Sequence, residues 1–249
     1  MSTEARAARR QDGMRQAARS MIDRSVLGTI VEAEPPEASP GIVTGRDVLE
    51  LVADGRDSDT PVADRFTPEA TCAAPDWSLE RAGRAMVEGG VRHLVVLDGA
   101  RTAGLLSLRD IVPVLIEQRG QRPTIQIGEA MNRDLVTMHS EQTLHEAAQR
   151  MVEHDLAAAL VEPSGSLSAP RLVTERDLVQ LVAAGDDGRA ARVGNHLRAR
   201  GTTFSAPDWS LKQAAEAMVK GGFHNVVVVD SSGPIGIISM RDIVGRWLD

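Results

Sequence analysis

Four pairs of side chains recur in this sequence at one spacing: Thr44 with Asp47, Ser107 with Asp110, Thr174 with Asp177, and Ser239 with Asp242. In each pair a hydroxyl stands three residues before a carboxylate, where a short apolar run gives way to an apolar helical pattern. A Ser or Thr at a helix start lies beside backbone N–H groups with no helical partner and at the positive end of the helix dipole, a setting that favours an anion. Its hydroxyl offers an oxyanion one more donor. The carboxylate projects from the first turn, and its two oxygens can accept from two neighbouring hydroxyls of a ligand. The same spacing also makes a capping box, which stabilises a helix with no ligand present. Both readings stand on these residues alone.

The pairs sit inside longer strings. Residues 41–47 read GIVTGRD, 104–110 GLLSLRD, 171–177 RLVTERD and 236–242 GIISMRD, and the four aspartates are 63, 67 and 65 residues apart. A period of that length implies repeated supersecondary units. Residues 74–112 align without gaps on 206–244 at an offset of 132, with roughly half the positions identical, and 17–52 align on 147–182 at an offset of 130. The order is therefore A-B-A-B, a two-repeat block duplicated.

Each unit must supply the elements that position its pair. Ser78 is an N-cap for a helix that Gly89 and Gly90 end, and 91–97 then read as a strand. Asp98-Gly99 makes a tight turn into the return strand that Ser107 closes. Thr143 with Glu146, and Ser210 with Gln213, form capping boxes for the matching helices of the third and fourth units. Pro113 lies inside the helix after Ser107, which is expected to be kinked or short there. The first unit starts a helix at Met14 and shows no leading strand, so residues 1–13, with Arg6, Arg9 and Arg10, read as a solvated arm. The repeats are placed at 14–60 (with a truncated start), 61–119, 126–186 and 190–249, with a linker near 118–126 where Gly120 and Pro123 break the pattern.

Composition excludes several classes. The net charge of −7 argues against general binding to nucleic acid or anionic membrane. One cysteine, Cys72, allows no disulfide framework, and the six histidines show no metal-ligand spacing. No apolar run nears the roughly 20 residues that span a bilayer, and residues 1–13 lack the apolar core of a secretory signal. A soluble, cytoplasmic protein is expected. Phosphate-binding loops, dinucleotide fingerprints and nucleophile elbows are absent from the sequence, and no residues remain for a catalytic domain.

A βαββα unit of about 60 residues ending in G-h-h-T/S-x-x-D (h apolar) resembles the CBS domain. Four in-register copies cover nearly the whole chain, a layout similar to the γ regulatory subunit of AMP-activated protein kinase and to stand-alone bacterial four-repeat proteins. The resemblance implies an α+β fold of four CBS repeats in two pseudo-twofold Bateman modules, assembled as a disk. It also implies clefts for adenosine compounds: AMP, ADP or ATP, with S-adenosylmethionine or NAD as alternatives. The Thr or Ser would contact phosphate and the Asp the ribose hydroxyls, roles that fall on Thr44, Asp47, Ser107, Asp110, Thr174, Asp177, Ser239 and Asp242. Arg92, His93 and His224, at the start of the middle strand, are secondary phosphate candidates. Arg171 replaces the glycine that opens the other three strings, so the clefts are not expected to be equivalent. Trp77 and Trp209 either pack over their helix starts or stack on a base.

The function implied is a non-enzymatic sensor that binds a nucleotide and signals to a partner protein, as a monomer or homodimer, with no metal, nucleic acid or membrane. The alternative is an interaction module whose caps are only caps. An enzyme with an unrecognised site, and a polyanion binder using Arg6, Arg9, Arg10, Arg198 and Arg200, are weaker rivals.

Overall fold

The computed structural model describes residues 7–34, 39–119, 125–163, 170–197 and 203–248. The linker residues 120–124, as well as Arg6, Arg198 and Arg200, lie outside them.

Repeat 1 holds α1 (Met14–Asp23), β1 (Gly28–Val31), β2 (Gly41–Thr44) and α2 (Gly45–Ala53). Repeat 2 holds β3 (Cys72–Ala73), α3 (Leu79–Glu88), β4 (His93–Asp98), β5 (Arg101–Ser107) and α4 (Leu108–Arg119). After the short α5 (Ile127–Ala130), repeat 3 follows as β6 (Thr137–Met138), α6 (Leu144–Glu153), β7 (Ala158–Val161), β8 (Arg171–Thr174) and α7 (Glu175–Ala184). Another short helix, α8 (Val193–His196), precedes β9 (Phe204–Ser205), α9 (Leu211–Gly221), β10 (Asn225–Asp230), β11 (Gly233–Ser239) and α10 (Met240–Leu248) of repeat 4. In repeats 2, 3 and 4 the middle strand pairs parallel with the leading strand and antiparallel with the return strand.

The first repeat is not truncated. Ala8 forms a parallel bridge to Val31, with its amide donating to Ile30 O at 2.7 Å and its carbonyl accepting from Glu32 at 3.0 Å. At the offset of 130 this is the Met138–Val161 pair of β6 and β7. Residues expected to be a solvated arm thus supply the leading strand, and Ala8 is buried. Arg10 is fixed too, lying 4.8 Å over the ring of Phe66 and 3.5 Å from Glu34. A one-residue strand has no periodicity to read, which is why the pattern missed it.

The chain divides into two compact units of alternate repeats. The odd unit gathers the described residues of 4–70 and 136–201, repeats 1 and 3; the even unit gathers those of 71–135 and 202–248, repeats 2 and 4. In the odd unit α1 packs on α7, and α2 on α6 and α7. Ala17, Ala18 and Met21 share one core there with Leu178, Leu181 and Val182. In the even unit α10 packs on α3 and α4, and α4 on α9, around Met86, Leu94, Ile111, Met218, Val226 and Ile243. Burying one such side chain contributes roughly 1.5–3 kcal/mol, so each unit is held by its helical faces. Residues 61–70, counted with the second repeat in sequence, pack on the first: Val62 is fully buried in the odd core and Thr67 exchanges both backbone bonds with Ile42. In the same way Ile127 enters the even core and Asn132 exchanges both bonds with Ile237 of β11.

The caps form as the spacing indicates, with Ser78 Oγ accepting from Arg81 N, and Thr143 and Ser210 boxed by Glu146 and Gln213. The helix at Pro113 is not short, because α4 runs for 12 residues with Pro113 inside it. Pro113 is exposed, so water can satisfy the carbonyl that its missing N–H leaves without a helical partner.

Candidate functional site

Each motif is built by a return strand that ends on the cap residue and a helix that starts on the next. In repeat 1 Asp47 Oδ2 accepts from Thr44 N at 2.6 Å and from Thr44 Oγ1 at 2.8 Å. Asp110 accepts from Ser107 N and Oγ at 2.9 and 2.7 Å, and Asp177 from Thr174 N and Oγ1 at 2.8 and 2.6 Å. Asp242 accepts from Ser239 N and Oγ at 2.8 and 2.7 Å. All four hydroxyl protons therefore point at the carboxylate of their own motif. One oxygen, Oδ2, holds the cap in every repeat; Oδ1 is not part of it.

The first helical amide is also engaged in every repeat. Gly45 N donates to Leu27 O at 3.0 Å, Leu108 N to Arg92 O at 3.1 Å, Glu175 N to Ala157 O at 3.1 Å, and Met240 N to His224 O at 3.0 Å. Fewer helix-start donors are open to an anion than the sequence suggested. The side chains at the position that holds this amide then matter more. They are Arg92 and His224 in the even unit, but Leu27 and Ala157 in the odd unit.

The surroundings divide the same way. Asp110 is exposed, Asp47 and Asp242 are half-buried, and Asp177 is only 2% exposed. Burial pushes the Asp47 carboxyl up to about 6, against the bonds from Thr44 that favour its charged form. Glu175, also buried, faces repeat 1, with Oε2 3.2 Å from where a β-carbon on Gly45 would sit. The matching positions of the even unit are the apolar Leu108 and Met240. The odd unit thus collects carboxylates around its caps, and the even unit basic groups.

His93 lies opposite Ser107 across the β4–β5 ladder. Burial first, and the charge of Arg92 second, drive its imidazole down to about 3, with Asp110 pulling the other way. It is neutral at pH 7, with one ring N–H to donate and one ring nitrogen to accept. Trp77 and Trp209 pack against the even core, and Arg81 covers the Trp77 ring at 3.9 Å. A polar cavity of about 370 Å³ opens in the odd unit between the far ends of α2 and α7, beside Arg15, Arg56 and Arg189. It lies at the opposite end of those helices from the caps. Among the described residues no group of three His, Cys, Asp or Glu side chains could hold a metal ion, and no helix is long and apolar enough to cross a membrane.

The CBS domain model matches residues 62–117, 127–184 and 205–249, well over half of the chain. The chain belongs to the CBS domain family. Its first repeat lies outside the matched segments except for residues that pack on it, yet it carries the same elements and cap. A crystal structure from Methanocaldococcus jannaschii, of a protein proposed as an archaeal homologue of the AMPK γ subunit, superposes with a TM-score of 0.81. That match has 17% identity and covers 99% of this chain and 97% of the other, so it shows a shared fold. In sequence the same archaeal protein is 27% identical over 152 residues, 57% of this chain and 54% of its own length. A Bacillus subtilis CBS domain-containing protein is 32% identical over 97 residues, 39% of this chain and 69% of its own. In these sequence alignments the chain thus spans about half the length of the Methanocaldococcus relative it matches, and 62% of that of a Methanopyrus kandleri relative.

The motif arginines were not singled out in sequence, although Arg-Asp stands in all four strings. Each reaches the other repeat of its unit, a contact that no single-repeat pattern can reveal.

Proposed function

We propose that the chain is a non-catalytic regulatory module that binds an adenosine-containing ligand of the AMP, ADP or ATP class and passes occupancy to a partner protein. The sites favoured are those of repeats 2 and 4. The observation that carries this reading is the basic side chain at the position whose carbonyl holds the first helical amide, Arg92 and His224, which repeats 1 and 3 replace by Leu27 and Ala157, together with the exposed Asp110 and half-buried Asp242. Phosphate oxygens would take Arg92 or His224, and the ribose hydroxyls would donate to Oδ1 of the aspartate. The Ser107 and Ser239 hydroxyls can turn from carboxylate to phosphate while the backbone bonds of 2.9 and 2.8 Å keep each helix start closed. Thr44, Asp47, Thr174 and Asp177 are then caps first, in a setting that repels a second anion. S-adenosylmethionine, which carries no phosphate, fits the same diol-binding carboxylate with less use for the basic residues, whereas the diphosphate of NAD would use them as AMP does.

Calorimetric titration of the full chain with AMP, ADP, ATP, NAD and S-adenosylmethionine is the test. Heat that Asp110→Asn and Asp242→Asn diminish supports the reading, and no heat from any of the five ends it. A second reading has its own support: every motif hydroxyl, and Oδ2 of every motif carboxylate, is already engaged within its own cap. A protein-interaction module would lose stability on these substitutions and have no ligand to lose.

A further inference from the structure

We infer that the two motifs of each unit are coupled through a closed ring of contacts in which their arginines are exchanged. Each motif arginine stands on the first helical turn, between the cap hydroxyl and the aspartate, and reaches the turn that ends the first helix of the alternate repeat. Arg109 Nη2 donates to Gly222 O at 2.8 Å, after α9. Arg241 Nη2 lies 3.2 Å from where a β-carbon on Gly90 would sit, after α3. In the odd unit Arg176 Nη2 donates to Ser25 O at 3.1 Å, after α1, and Arg46 Nη2 pairs with Asp155 Oδ1 at 3.2 Å, after α6. All four contacted residues have positive φ: 57° at Ser25, 67° at Gly90, 51° at Asp155 and 69° at Gly222. These are the left-handed turns on which helices stop, where carbonyls lack helical partners and the negative end of the dipole attracts a cation.

The ring closes through the strand that follows each turn. Two residues after Gly222, His224 O holds the first amide of α10, on which Arg241 stands next. Arg241 reaches Gly90, and two residues on Arg92 O holds the first amide of α4, on which Arg109 stands next. The odd unit repeats the circuit. Arg46 reaches Asp155, Ala157 O holds Glu175 N, Arg176 reaches Ser25, and Leu27 O holds Gly45 N. A displacement of one cap therefore pulls on the helix end, and then the cap, of its partner repeat. Such a path is contiguous, and its coupling is reciprocal. The ring is a property of the fold; that it couples ligand occupancy rests on the reading of the motifs as nucleotide sites.

Amide hydrogen exchange on the full chain, without ligand, tests the ring. Arg109→Ala removes a cation from the end of α9, and exchange at Gly222 should quicken about two- to fivefold. The ring requires the Met240 amide to quicken as well, although Arg109 does not touch it, and Arg241→Ala to do the same at Leu108. Arg109→Lys keeps the charge but loses the planar fork, and should fall between the two even if the alanine variant folds poorly. Faster exchange confined to 221–223 in the Arg109 variants and to 89–91 in Arg241→Ala overturns the ring. Titration of the wild type with AMP separates the two proposals. Transmitted exchange without heat keeps the ring and removes the nucleotide reading; heat without transmitted exchange does the reverse.

Discussion

Replacing Asp47 by Asn should change how stability depends on pH, in the direction opposite to most capping carboxylates. Burial lifts the folded pKa of Asp47 to about 6 from an ordinary value of 3.8, despite bonds of 2.6 and 2.8 Å from Thr44. Between those values the folded chain binds a proton more tightly than the unfolded chain does. Stability therefore falls as pH rises through the window, and is level above it. The interval between the two values corresponds to on the order of 2–3 kcal/mol, with each unit worth about 1.4 kcal/mol. The Asp47→Asn side chain would keep an acceptor for the Thr44 amide and carry no charge at any pH. Urea unfolding of both proteins at pH 4, 5, 6 and 7 measures the difference. The stability of the Asp47→Asn variant relative to wild type should rise by about 2 kcal/mol from pH 4 to pH 6.5 and then hold. A difference that is flat, or that falls with pH, would refute the claim that burial dominates at this carboxylate.

Three further outcomes follow from the same geometry. Ala8→Glu places a charge where the leading strand of repeat 1 is buried and should cost several kcal/mol, whereas Arg9→Ala should stay within about 0.5 kcal/mol, in paired chemical melts. Ser78→Ala and Ser210→Ala each remove a side-chain bond to the N3 amide of a helix and should lower stability by about 1 kcal/mol. Arg92→Leu, which copies the Leu27 of repeat 1, should weaken AMP binding by tenfold or more, with a far smaller effect on S-adenosylmethionine; equal losses for both ligands would remove Arg92 from phosphate recognition.

Much of the fold was legible because its local signals are strong. Ser78, Thr143 and Ser210 announce their helices, Gly90 and Gly222 end them at positive φ, and the offsets of 130 and 132 fix which residues are equivalent. What escaped depends on tertiary partners. Ala8 is a strand only because β1 lies beside it. Pro113 sits inside a 12-residue helix because its face is open to solvent. The grouping of alternate repeats is decided by helical faces that meet far apart in sequence, such as α1 on α7. At the candidate site the residues were legible and their state was not. Ser107 and Asp110 were consistent with a cap and with a ligand site, and the structure shows the cap. Only spatial context separates the exposed Asp110 from the buried Asp177, or makes His93 neutral.

The most direct measurement is a calorimetric titration of AMP into the full chain and into the Asp110→Asn/Asp242→Asn double variant, after circular dichroism has established that both are folded. Nucleotide sensing through the even unit predicts saturable heat in the wild type that the double variant loses, with at most a modest drop in melting temperature. Equal heats in the two proteins, or none in the wild type with AMP or any of the other four ligands, would contradict it.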